Sequence, residues 1–414
     1  MKVKLIVAAV AAAFVAPIAS ADVTISGTFA PLIGNTKLDT TSQIAAGAGP
    51  LGSGQAGAIN AVQGFSSTFF NDAASRLTIE SKEDIGDGMG AGAFLQIRGT
   101  DGTFDNFNNE NKGLTPFRWG VNVNGGWGKL LAGREFTPYT WTMINNETNM
   151  GAIWFGPFGI MGHAGGQGLS LAGGAGTTQH AFFKVGTGLH YYSPDFNGLS
   201  FKASWVTDNA KTGPSGTNQR DITEMGFSVD YKPAESMFWL GAAYSRRSGA
   251  DGAAPMNTLF GGAARGGVAG TLDSTDQVML LGGGIAVGDL TVGLWWDRVS
   301  YKTKGVTAGL SEISRDAFWI PVSYTLPTGK IGASYMQAME SDGTRVGGTF
   351  NGSSTGSSMI QVSYSHNLSK QTQPYVMLSA GNAGDRSAFN GPFGNGGGLG
   401  GGWRSVVVGL QHSF

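Results

Sequence analysis

Residues 403–414 read WRSVVVGLQHSF, ending on Phe414. Val406, Val408, Leu410, His412 and Phe414 occupy every second position, and Ser405, Val407, Gly409, Gln411 and Ser413 stand between them. One set is apolar or aromatic and the other mostly small or polar. A period of two puts the sets on opposite faces of a β-strand. The strand runs to its last residue, and the same pattern recurs along the whole chain. That combination points to a closed barrel whose outer face meets lipid.

Working back from this strand, sixteen such segments can be laid out. They lie at about 22–33, 74–83, 89–99, 115–124, 128–136, 182–193, 198–208, 221–232, 237–247, 275–287, 290–301, 314–326, 329–340, 357–367, 372–382 and 403–414. The connections alternate in length. Tight turns such as IGDG at 85–88, DFNG at 195–198 and SKQ at 369–371 follow the even-numbered segments, and longer Gly/Ser/Asn-rich stretches follow the odd-numbered ones. The tight turns have hairpin chemistry. Short turns at one end and long loops at the other describe an up-and-down transmembrane β-barrel, all-β, antiparallel and sixteen-stranded. An even count places both termini at the short-turn end. Sixteen strands enclose a space too wide for side chains to fill, so the barrel is a channel or is plugged. No separate plug segment stands ahead of the first strand.

Composition agrees. Of 414 residues only 13% are charged, the formal net charge is −1, and there are 69 Gly and no Cys. Soluble domains carry about a quarter charged residues. The absence of Cys removes disulfides, thiolate metal sites and Cys nucleophiles together. Balanced charge offers no electrostatic footprint for nucleic acid. Residues 1–21 read as a cleaved signal peptide. Lys2 and Lys4 precede an apolar Ala-rich run, and Ala19-Ser20-Ala21 fits the small-x-small cleavage rule. Residues 22–414 then form a single barrel domain. No other stretch approaches the ~20 apolar residues of a membrane helix.

Several stretches, in order, resemble the general diffusion porins of Gram-negative outer membranes, especially the proteobacterial trimeric type. They are DVTISGTF at 22–29, SRLTIESKEDIGDGMGAGAFLQI at 75–97, FRWGVNVNGGWGKLLAGRE at 117–135, GLHYYSPDFNGLSF at 188–201, YSHNLSKQTQPYV at 364–376 and VGLQHSF at 408–414. The resemblance implies a homotrimer of barrels in the outer membrane, among lipid and lipopolysaccharide. It also implies assembly through the terminal strand, with Phe414 as a signal to the barrel-assembly machinery. Small hydrophilic solutes and ions are the expected cargo, with no cofactor and no metal.

The resemblance further implies an inward-folded constriction loop, about 137–181 here, facing a row of basic side chains on the wall. Carried over residue by residue, that row is Arg76, Arg118, Arg134 and Lys184. Arg98 and Lys202 face inward by alternation alone, with Glu80 a wall carboxylate able to pair with them. The loop departs from the family pattern. Its one carboxylate is Glu147, and it carries Trp154, Phe155 and Phe158. Two readings of the basic set stand open: a bias on ion passage, or pairing with Glu80, Glu135 and other lumen carboxylates that only holds the wall. Two readings of the loop aromatics also stand open: sorting of solutes, or packing on the inner wall. Tyr191, Trp205, Tyr231, Trp239, Trp296, Tyr324 and Tyr375 are expected in aromatic girdles at the lipid edge.

Enzyme chemistry finds no support. His366 and His412 face lipid by alternation, no convincing GxSxG elbow accompanies His163, His180 or His190, and no HExxH is present.

Overall fold

The computed structural model describes residues 22–38, 66–72, 75–98, 115–145, 185–208, 222–248, 273–304, 309–349, 353, 355–388 and 399–414. These form one sheet of nineteen ladder segments, each paired antiparallel with its neighbours. Three strands are each interrupted once, so the nineteen segments make sixteen strands. The first three are β1 (Asp22–Phe29 continued by Pro31–Leu38), β2 (Ser66–Asp72 continued by Arg76–Gly86) and β3 (Met89–Arg98). Then come β4 (Thr115–Gly125), β5 (Gly128–Phe136), β6 (Val185–Tyr192), β7 (Leu199–Asp208) and β8 (Ile222–Tyr231). The second half comprises β9 (Phe238–Ser248), β10 (Asp273–Val287), β11 (Leu290–Lys304), β12 (Gly309–Leu326) and β13 (Gly329–Ala338 continued by Asp342–Val346). It ends with β14 (Ser357–His366), β15 (Thr372–Ala388) and β16 (Leu399–Ser413). Among the described residues, a helix, α1 (Pro138–Asn145), follows β5. All sixteen segments expected from the alternation are present. No helix among the described residues is long and apolar enough to cross a membrane, so any crossing is made by strands.

The first strand closes the barrel against the last. Trp403 pairs with Leu38 and Gly409 with Leu32, and lower down Thr28 pairs with Ser413. Gly27 and Phe414 exchange both backbone hydrogen bonds at 3.0 Å. The Phe414 ring stacks on Phe29 at 5.7 Å. The break at Ala30 precedes Pro31, which has no N–H to give. The Ala30 N–H donates instead to Ser75 Oγ at 2.9 Å, beside the break in β2. The tight turns use the residues their backbone demands. Gly86, Asp87 and Gly88 all have positive φ, and the Gly86 N–H donates to Asp84 Oδ1 at 2.9 Å.

Alternation sorts the faces as expected on the outside. Ile25, Met225, Leu281, Leu294 and Ile360 are exposed, as a lipid-facing band requires. Tyr191, Trp205, Tyr231, Trp296 and Tyr324 lie on this face by alternation. Trp239 and Tyr375 do not. Each is buried because it sits at the opposite parity, Trp239 between exposed Phe238 and Leu240.

The inner face is less polar than alternation suggested. One cross-strand row runs Gly282, Trp295, Trp319, Met336, Met359, Gly381, Trp403 and Leu38, each residue the direct partner of the next. Trp295, Trp319, Met336, Met359 and Trp403 are all buried. The glycines make room for the rings. A Cβ at Gly282 would overlap the Trp295 ring and lie 2.5 Å from the Leu294 carbonyl oxygen, and one at Gly381 would lie 2.5 Å from the Trp403 ring. Tyr375 covers Gly409, and Trp239 covers Gly284, in the same way. Serines and Gln361 occupy other inward positions and are buried as well.

Two outcomes follow. Gly282→Val forces the Trp295 ring off its neighbour, and overpacking of this kind costs about 1–3 kcal/mol. The urea midpoint for unfolding from detergent micelles should fall, with the barrel still formed at low urea. Deleting Phe414 removes both closing backbone bonds and the Phe29 contact. The amount of heat-modifiable, assembled barrel recovered from outer membranes should drop sharply, and unchanged levels would show the closure does not depend on this residue.

Candidate functional site

The inward positions of β2, β3 and β4 place three arginines side by side. Arg76 is the direct partner of Arg98, and Arg118 follows one step away opposite Gln96. Their parity is set by exposed Ile79, Trp119 and Val121 on the other face. Arg118 is held hardest. Its Nε donates to Glu135 Oε1 at 2.6 Å and its Nη2 to Oε2 at 2.7 Å. Such a two-point pair fixes the guanidinium plane. The same plane lies over the rings of Phe136 at 4.8 Å and Trp141 at 5.1 Å. Arg98 lies over the Phe117 ring at 4.7 Å. Arg76 has no ion pair with a described residue.

α1 begins where the sequence signals a helix start. Thr137 precedes Pro138, a first-turn proline whose missing N–H costs nothing there. The Thr137 carbonyl accepts from the Trp141 N–H at 2.9 Å. The helix lies against the inner wall and makes polar contacts with it. The Tyr139 hydroxyl donates to Asp297 Oδ2 on β11 at 2.6 Å. The Trp141 indole N–H donates to the Tyr192 hydroxyl on β6 at 3.2 Å, and the Thr142 hydroxyl to Asp230 on β8 at 3.4 Å. Burial, and then the neighbouring Asp297 charge, push the Tyr139 phenol well above its ordinary value, so it stays a donor. Residues 137–145, where the expected inward loop begins, thus meet inward side chains of β6, β8 and β11, and residues 146–181 of that loop lie outside the described residues.

Carboxylates stand on the wall itself. Asp230 takes Lys202 Nζ at 2.5 Å, with both side chains only 13% exposed. Asp276 takes Arg247 at 3.2 Å. Glu224 and Asp297 are buried on β8 and β11. Glu224, Asp230 and Asp297 hold inward parity on their strands, whereas the expected acidic pole was Glu147 in the loop. Lys129 also faces inward, 4.4 Å from the Tyr192 ring. Glu80 pairs with Lys82 at 3.4 Å rather than with an arginine, and both are well exposed. Among the described residues no group of three or more His, Asp or Glu is arranged to hold a metal ion.

One expected pore residue is misplaced. Arg134 is the partner of Trp119, which is exposed on the outer face, and cross-strand partners share a face. Gly133 and Glu135 take the inward parity on β5, leaving Arg134 outside. Its Nε donates to the Phe117 carbonyl at 3.2 Å. The Gly-Arg motif thus marks the base of the loop but does not aim its arginine into the lumen. Lys184, Glu147, Trp154, Phe155 and Phe158 lie outside the described residues.

The comparisons with known proteins agree with this architecture. The family model for the Gram-negative porin matches residues 8–385. Outer membrane porin protein 32 of Delftia acidovorans is 28% identical over 215 residues, which is 51% of this chain and 51% of that protein. The chain therefore spans about half the length of that curated relative in the match. Among solved structures, the anion-selective porin from Comamonas acidovorans superposes with a TM-score of 0.65 at 18% identity, covering 95% of this chain and 100% of that one. OmpT of Vibrio cholerae in its trimer form superposes at 0.61 with 10% identity, covering 95% and 99%. At these identities the structures establish the fold alone. A match across nearly the whole chain to one family model, on a closed barrel of sixteen antiparallel strands, places this protein in the Gram-negative porin family.

Proposed function

We propose that this chain is an outer-membrane porin, a water-filled channel for passive diffusion of ions and small hydrophilic solutes, with a preference for anions. The observation that carries the preference is the adjacent inward set Arg76, Arg98 and Arg118 on β2–β4. Arg118 is matched by Glu135. Arg76 has no such match among the described residues. Fixed unmatched charge beside low-dielectric walls raises the local concentration of counter-ions. The superposition on a porin described as anion-selective supports this direction. In this reading Arg118 and Lys202 brace the wall, and Arg76 biases ions. Lys184 belongs to the same set by motif.

The remaining assignments rest on the family. Residues 1–21 are a cleaved export signal, and Phe414 is read by the assembly machinery. The barrel works as a homotrimer among outer-membrane lipid and lipopolysaccharide. OmpT of Vibrio cholerae, of the same fold, is described in a trimer form.

Liposomes carrying the protein should swell in small sugars, and a planar bilayer under a salt gradient should show a reversal potential displaced toward anions. Arg76→Ala should move that potential toward cations with little change in stability. Arg118→Ala should instead destabilise the barrel by about 3 kcal/mol, because it strands Glu135 uncompensated. A strongly cation-selective unmodified channel, or an Arg76→Ala channel with an unmoved potential, would defeat the selectivity reading. Absence of both swelling and conductance would defeat the channel reading.

A further inference from the structure

β1 and β16 also meet on the outer face of the barrel. Lys37 and Arg404 are direct cross-strand partners there. Both are exposed, at the parity of exposed Ile33, Val406 and Val408. Like charges directly opposite each other are destabilising. Neither side chain has a hydrogen bond or ion pair to a described residue. On β11 and β12 the same outer face answers its cations differently. Arg298 is held by Asp316 at 2.8 Å and Lys302 by Glu312 at 3.1 Å. The Lys37–Arg404 pair has a cation where those have a carboxylate, so it lacks an anion.

Strand geometry sets the height of the pair. Arg404 lies eight residues before His412 on β16. At ~3.4 Å per residue and a tilt near 40° this is roughly 20 Å along the membrane normal. The outward residues between them, Leu410, Val408 and Val406, are apolar and exposed. An outer-membrane barrel shows an apolar band ~25 Å tall. Lys37 and Arg404 therefore stand at its upper rim, at headgroup level, on the side of the long connections. Beside them is a groove of about 420 Å³ lined by Ile360, Val362, Leu378 and Val406 together with the two cations. Val362, Leu378 and Val406 are mutual partners two residues nearer the short-turn end, so the groove runs from the charges into the apolar band.

We propose that this is a seat for one phosphate-bearing lipid of the outer leaflet. Its phosphate sits between Lys37 and Arg404, and an acyl chain lies along Ile360, Leu378 and Val406. Two cations converging on one oxyanion, with an apolar channel leading away on the hydrocarbon side, match an anionic headgroup and its tail. The inference deepens the outer-membrane reading given under Proposed function and rests on it.

The test compares the full-length protein with the Lys37→Ala/Arg404→Ala variant, both purified in mild detergent. Native mass spectrometry follows binding of diphosphoryl lipid A. Dephosphorylated lipid A and millimolar inorganic phosphate serve as the other probes, and single-channel conductance is recorded for each protein. The double variant should bind diphosphoryl lipid A about tenfold more weakly or worse, with conductance and oligomeric state unchanged. Lys37→Arg should bind as the unmodified protein does. Equal lipid binding by the double variant overturns the proposal. Equal binding of the dephosphorylated lipid by the unmodified protein, or displacement by inorganic phosphate, overturns it too, as a plain apolar groove or a free-anion site. Loss of the oligomer in the double variant would make the pair a contact between copies and likewise overturn it. An unmodified protein that binds the lipid but never conducts would sink the channel reading and leave the lipid seat standing.

Discussion

The structure depends on one constraint: a backbone N–H or C=O inside hydrocarbon has no water to bond. A sheet can sit there only if it has no edge. Here the edge is removed by the pairing of β1 with β16, from Leu38 and Trp403 at one end to Gly27 and Phe414 at the other. The interruption at Ala30 shows how strictly the rule is kept. Where Pro31 ends the regular ladder, the Ser75 hydroxyl accepts the Ala30 N–H.

Closure at sixteen strands creates a second problem, an interior wider than side chains can span. The chain meets it in two ways. Along β10–β16 and back to β1, large rings and methionines line one level of the inner wall, and glycines on neighbouring strands leave space for Trp295, Trp403, Tyr375 and Trp239 to lie flat. Between β6 and β11, α1 lies on the wall and ties itself to it through Tyr139, Trp141 and Thr142. The Arg118–Glu135 pair anchors the point where β5 gives way to this helix. It is nearly dry, doubly hydrogen-bonded and sandwiched by Phe136 and Trp141. A charge held so tightly is a fixture of the wall, and its field is largely cancelled by its partner.

Charge inside the barrel therefore divides by pairing rather than by residue type. Lys202 and Arg247 have carboxylates at contact distance, whereas Arg76 has no ion pair with a described residue. This also explains why an acid-poor loop is compatible with a braced interior: Glu135, Asp230 and Asp276 supply the negative partners from the wall.

The sequence by itself determined the strand count, the antiparallel order, the turn positions and most of the facing. All of these follow from a period of two and from turn chemistry, which are local properties of neighbouring residues. It also determined that Arg76, Arg98, Arg118 and Lys202 point inward. Tertiary structure alone decided what each inward group meets. Arg118 finds Glu135 and Lys202 finds Asp230 because neighbouring strands bring them into register, and register is a relation between strands that no single strand encodes. The outward turn of Arg134 was legible from its alternation with Gly133 and Glu135, yet a motif match pointed the other way. The eight-residue row from Gly282 to Leu38 joins residues scattered from 38 to 403. Its last link, Trp403 to Leu38, exists only once the sheet has closed, because closure brings the first strand beside the last.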